Sequence, residues 1–142
     1  MALMLSGPVL ADNSVNDCLD QLKARVSAVP GLASVYGYRS AKATLPVEVA
    51  ITSTGDIPGD SPVGLSAAYD YIIDVMVRID DDYEAAERKL NDVVGDIWRA
   101  VWGANEPYWS DCFAYGVAQK PASPEGMVNW RRGIMYVRVI PR

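Results

Sequence analysis

The chain has 142 residues, 50% of them apolar and 22% charged, and a formal net charge of −5 at pH 7. That is the size of one ordinary domain, long enough to bury roughly two-thirds of the surface its unfolded form would expose, so no staple is needed for folding. The acidity argues against a general nucleic-acid binder, whose sequence-independent affinity comes from Lys and Arg neutralising phosphates.

Met1 to Ala11 is apolar, but it has no Lys or Arg in front and contains Gly7-Pro8, which does not fit a secretory signal. Residues 1–13 therefore read as a mobile or partner-docked arm ahead of a single domain, residues 14–142. Ser14 precedes a helix in which Val15, Leu19, Leu22, Val26 and Val29 form one buried stripe, and Pro30-Gly31 ends it. Val35 to Arg39 is a short first strand. Val47, Val49 and Ile51 then alternate with Glu48, Ala50 and Thr52, the two-residue period of a half-buried strand. Gly55 to Gly64 has the Gly, Pro and Asp content of a long loop.

The next strand is the strongest in the chain. Tyr69, Tyr71, Ile73, Val75, Val77 and Ile79 line a core face, while Asp70, Ile72, Asp74, Met76, Arg78 and Asp80 line a mixed face of the kind a partner would partly cover. Asp81, three residues before Glu84, makes a capping-box-like helix start with negative charge against the N-terminus. Ala86, Leu90, Val93, Ile97 and Val101 form the stripe of this helix, which closes near Trp102-Gly103, with Trp98 beside it in the core. Asn105 to Asp111 reads as a connector, leaving Trp102 and Trp109 free for contacts. Cys112 to Gln119 is a strand with Phe113, Tyr115 and Val117 on a crowded face and small residues on the other. Lys120 to Gly126 is a second loop, and Trp130 to Ile140 a terminal strand. The expected fold is α+β: a mainly antiparallel sheet of four to five strands with two helices on one face, in the order α-β-β-β-α-β-β.

Charge is segregated along this order. Residues 70–111 carry eleven acids against four bases, net −7, and residues 120–142 carry five bases against one acid, net +4. These stretches suit the two unlike patches of a ring contact, with Asp70, Asp74, Asp80, Asp81 and Asp82 facing Arg131, Arg132 and Arg138 of the next copy. Because Arg131 and Arg132 are neighbours on a strand, they point to opposite faces, so one of them meets a packed layer or a partner. The loop residues Asp56, Ile57, Asp60, Lys120 and Glu125 are candidates for axial or lumen contacts.

Catalytic signatures are missing. The chain has no histidine, so a nucleophile triad has no conventional base, and no phosphate-cradling glycine loop or dinucleotide fingerprint occurs. Asp80, Asp81, Asp82 and Glu84 lack the alternate spacing and turn glycine of a calcium loop and are explained by helix capping. Cys18 and Cys112 lack metal-site spacing and read as two buried reduced thiols, with a disulfide between them as the alternative. No enzyme activity, cofactor or metal is expected, and no apolar stretch is long enough to span a membrane.

The element order, with PVEVAITS (46–53), AAYDYIIDVMVRIDDDYEAAERKLNDVVGDIW (67–98) and WRRGIMYVRVIPR (130–142), resembles the tail terminator, or tail completion, proteins of long-tailed bacteriophages. The resemblance covers Ser14 to Ile140. It implies a non-enzymatic virion subunit, made in the host cytoplasm and placed at the tail-neck junction. There it forms a homo-hexameric ring on the tail tube protein, stops tube growth and meets the head-completion or connector protein. Nucleic acid enters only as DNA passing through the lumen. The family supplies no residue motif, so the candidate positions above rest on the residues themselves. Two alternatives remain: a head-completion or neck adaptor protein, and a small-molecule-binding α+β domain with Tyr69, Tyr71 and Tyr115 around a pocket.

Overall fold

The computed structural model describes residues 14–32, 35–36, 46–58, 67–80, 82–102, 107–120 and 130–141. The elements are α1 (Val15–Ser27), β1 (Val35–Tyr36), β2 (Val47–Pro58), β3 (Ala67–Arg78), α2 (Tyr83–Val101), β4 (Trp109–Lys120) and β5 (Trp130–Pro141). The expected α+β order is what the chain adopts. The strands form one sheet in the order β1-β2-β3-β5-β4. Among the described residues only the two-residue β1 pairs in parallel, with β2; the β2/β3, β3/β5 and β4/β5 ladders are antiparallel.

Local chemistry fixes the helix starts. The Ser14 hydroxyl accepts the Asp17 N–H and the Asp17 carboxylate accepts the Ser14 N–H, a reciprocal capping box that satisfies two otherwise orphan donors. Past the end of α1, Gly31 takes φ +88°, a conformation that side chains with a Cβ rarely adopt. At α2 the cap is Asp82 rather than Asp81: its carboxylate accepts the N–H groups of Glu84 and Ala85 at 2.9 and 3.3 Å. Asp81 lies outside the described residues.

Both helices pack on the same face of the sheet. The core joins Cys18, Leu22 and Val26 of α1 and Leu90, Val93, Ile97 and Val101 of α2 to the inward residues of β2, β3, β4 and β5. The α1 stripe is centred on Cys18 and Leu22, with Val15 and Leu19 only partly buried, a rotation of the face expected from the aliphatic residues alone. The Tyr71 hydroxyl donates to the Val15 carbonyl at 2.8 Å, and Arg25 Nε donates to the Ala100 carbonyl at 3.0 Å. These two bonds tie α1 to β3 and to the end of α2. Gly133 lets α2 approach β5, because a Cβ there would stand 3.3 Å from Val94 Cγ2 and 3.4 Å from Leu90 Cδ1.

Several expected boundaries move. Gly55 to Pro58 is strand, not loop: a register shift between Ser53 and Gly55 absorbs the extra residue, and Asp56, Ile57 and Pro58 go on pairing with Tyr69, Ala68 and Ala67. Lys120 likewise ends β4, opposite Arg132. β4 begins at Trp109, inside the expected connector, and Trp109 is fully buried rather than available for contacts. A second shift, between Ala114 and Gly116, breaks the alternation of β4. The core residues of β4 are Trp109 and the small Cys112 and Ala114, while Phe113 is half-buried and Tyr115 and Val117 are exposed. Beside the α2 stripe, Trp98 packs partly buried against the core, as expected.

Candidate functional site

The face of the sheet opposite the helices carries four of the charged residues singled out in the sequence, Asp70, Asp74, Arg132 and Arg138. β5 lies between β3 and β4, so basic positions of the terminal strand stand beside acidic positions of β3. Asp70 and Arg138 are directly opposed in register. Arg138 Nε and Nη2 donate to the two Asp70 carboxylate oxygens at 2.8 and 3.0 Å, a bidentate arrangement that aligns both planes. The Tyr115 hydroxyl donates to Asp70 Oδ2 at 3.1 Å, and the Arg138 guanidinium lies 5.1 Å from the Tyr115 ring centre. Tyr136 packs against Tyr115 with ring centres 6.0 Å apart.

The Arg138 hydrogen bonds hold the Asp70 carboxyl below its ordinary range, against the opposing effect of burial and with help from Tyr115. Tyr115 is shifted upward, by burial first and then by its bond to the Asp70 carboxylate.

Four residues further along β3, Asp74 is reached diagonally by Arg132, which stands opposite Met76. Its Nε lies 3.1 and 3.2 Å from the two carboxylate oxygens and its Nη2 lies 2.8 Å from Oδ2. Arg131 points the other way, into the helix layer. There it is 6% exposed, donates to the Tyr83 hydroxyl at 2.7 Å and to Glu87 Oε1 at 3.2 Å, and lies over the Tyr83 ring. The opposite-face argument for the Arg131-Arg132 pair therefore holds, with the packed layer belonging to the chain's own α2.

The pairing expected between copies is thus made within one chain: Asp70 with Arg138 and Asp74 with Arg132. The acidic residues at the start of α2 have other partners. Asp80 accepts from Arg78 Nε at 2.7 Å, Asp82 caps the helix, and Glu84 pairs with Arg88 at 3.1 Å. Of the loop candidates, Asp56 and Ile57 are in β2 and Lys120 is in β4; Asp60 and Glu125 lie outside the described residues. The tyrosine pocket does not form, because Tyr69 and Tyr71 are buried on the helix-covered face while Tyr115 bonds Asp70 on the other.

Three contributors escaped the sequence reading. The sequence pattern puts Tyr115 on the crowded face of its strand or beside a pocket and gives Tyr83 and Glu87 no role, because the bonds joining them to Asp70 and Arg131 span 44 to 48 residues. Glu48 is the other surprise. It alternates like a solvent-facing residue, yet it is 7% exposed and neither carboxylate oxygen has a hydrogen-bond partner among the described residues. Its register position, opposite Met76 with Arg132 beyond, puts it on the charged face.

The thiols are chemically quiet. Cys18 and Cys112 are free and buried, and burial pushes them up to about 11 and about 12, so little of either is the reactive thiolate near neutral pH. Among the described residues, no group of three or more His, Cys, Asp or Glu side chains could hold a metal ion, and no helix is long and apolar enough to cross a membrane. The charged face thus carries two multiply bonded Arg-Asp pairs and the Tyr115-Tyr136 contact beside one of them.

No protein-family model matches the chain, and no curated protein matches it. Among solved structures it is similar to a chain from the virion of a native gene transfer agent particle. That likeness has a TM-score of 0.53 at 14% sequence identity and covers 84% of this chain and 83% of the other. At that identity it shows a shared fold, extending over more than four-fifths of each chain.

Proposed function

We propose that this protein is a structural subunit of a phage-like virion, and specifically a ring-forming tail terminator that caps the tail tube, stops its elongation and joins the tail to the head-neck. The observation that carries the reading is the shared fold with a chain of a gene transfer agent virion over more than four-fifths of each chain. The resemblance of element order and strand character to tail terminators supports it independently. In this reading the subunit is non-enzymatic and assembles as a homo-hexamer at the tail-neck junction of the virion, between the tail tube protein and a head-completion or connector protein.

The internal ion pairs refine how such a ring is held. Asp70, Asp74, Arg132 and Arg138 act as a preorganised polar patch with its charges already satisfied, presented to a neighbour as shape and hydrogen-bonding capacity. Residual charge at Asp80 and Asp82 steers approach more than it adds affinity. Mass determination under native conditions, with and without purified tail tubes, tests the proposal. It expects six-fold assemblies at micromolar concentration or on tubes; a strict monomer under both conditions overturns it.

A further inference from the structure

β4 is the outermost strand on its side of the sheet, paired through β5 alone among the described residues. The Asp111 carboxylate takes the Cys112 N–H at 2.9 Å and closes the first part of the outer edge. From Phe113 to Val117 the outward edge has no backbone partner among the described residues. An open row of this kind is a template for another extended chain, and proteins usually guard it with charge or proline. This stretch has neither: FAYGV is uncharged. Its bulge at Ala114/Gly116 shortens the template without covering it.

The same rim gathers exposed apolar side chains. Of the five large hydrophobic residues exposed among those described, Trp102 (52%), Tyr108 (37%), Tyr115 (49%) and Val117 (41%) lie on or beside β4. Trp102 stacks on Trp98 with ring centres 5.6 Å apart and meets the edge of Phe113 of β4 at 6.5 Å. Concentration on one rim, rather than scatter, marks an interaction surface.

We infer that this rim receives the first eleven residues of a second copy, whose apolar run Ala2-Leu3-Met4-Leu5 adds a strand outside β4. The match is one of chemistry. Residues 1–11, MALMLSGPVLA, contain no Asp, Glu, Lys or Arg, whereas residues 37–45, 59–66 and 121–129, the other longer stretches outside the described residues, each contain at least one. A neutral apolar edge accepts a neutral apolar strand with no charge to desolvate. Four or five residues suffice for the open stretch, and Pro8, which cannot donate to a ladder, falls beyond them. Backbone bonds supply affinity, and side chains alternating onto Trp102 and Val117 supply register. The inference rests on the ring reading above, since one arm per copy reaching the next β4 is the heterologous contact that closes a ring.

Cysteine pairs in the full-length protein test it. Val117→Cys combined with Leu3→Cys or Leu5→Cys, mildly oxidised after assembly, should give covalent dimers and higher ladders, while each single variant should not. In parallel, Val117→Lys, on an exposed site, should raise the concentration needed for assembly at least ten-fold without moving the thermal midpoint, and deletion of residues 2–11 should do the same to assembly. Rings that form equally well in both variants and never cross-link between chains overturn this inference and leave the ring reading standing. A cross-link confined to single chains also overturns it. A wild-type chain that stays monomeric even on tail tubes overturns both.

Discussion

On the helix-covered side of β3, Tyr71, Ile73 and Val75 are fully buried among aliphatic neighbours, while on its reverse Asp70 and Asp74 are buried nearly as deeply beside arginines of β5. One strand thus meets two unlike environments at a period of two. The first needs only bulk and shape to exclude water. The second keeps its charges because each carboxylate receives a bidentate guanidinium from the adjacent strand. Removing an atom from the first leaves a cavity; removing one from the second leaves a charge without a partner.

The largest expected effect is on the covered side. Ile73→Ala, at a residue with no exposure, should destabilise the domain by about 2 to 5 kcal/mol, read as a lower midpoint in denaturant at an unchanged slope. A loss below about 1 kcal/mol would mean that the helix layer is looser than described.

On the charged side, Asp70→Ala or Asp74→Ala should cost about 1 to 3 kcal/mol, between the values for exposed and fully buried pairs, since Arg138 and Arg132 remain 36% and 22% exposed. A double-mutant cycle on Asp70 and Arg138 should show coupling, and additive losses would deny the pair. Arg132→Glu with Arg138→Glu should therefore lower the stability of the single chain as well as its assembly, where two surface arginines would have affected assembly alone.

Acid should act on the same side. Asp70 has a folded value below its ordinary 3.8, so its contribution is complete above that value and is lost as pH falls toward the folded one. Stability measured from pH 6 to pH 3 should decline mainly below about pH 4, and Asp70→Asn should flatten part of that slope. In alkali the sign reverses. Cys18 and Cys112 are raised from 9.0 to about 11 and about 12, so folding is favoured below the ordinary value and weakens as pH rises through the folded ones.

The smallest effect belongs to the helix surface. Arg88 and Glu84 pair four residues apart on α2 with 76% and 71% exposure, and Glu84→Gln should change stability by less than about 0.5 kcal/mol, vanishing in high salt.

The two sides also differ in how far they could be read from sequence. The covered side was legible, because alternation in β3 and the three-and-four spacing in α2 identify the same residues that the structure buries. The charged side was legible only as a list: Asp70, Asp74, Arg132 and Arg138 were named, but as partners across copies. What turns them inward is strand order, since β5 inserts between β3 and β4, and no local pattern encodes a neighbour 58 to 68 residues away. The shifts at Ser53/Gly55 and Ala114/Gly116 were hidden for a related reason. A glycine that ends a strand and one that bulges within it look alike until the partner strand is known. Glu48 shows the same limit, because alternation assigns a face but not its exposure.

The proposed role, a ring-forming terminator of a phage-like tail, is tested most directly by adding the purified protein to growing tail tubes and imaging their ends. The account predicts tubes that stop lengthening and carry at the growing end a ring of six copies. Tubes that elongate at an unchanged rate, with no added density at either end, would contradict it.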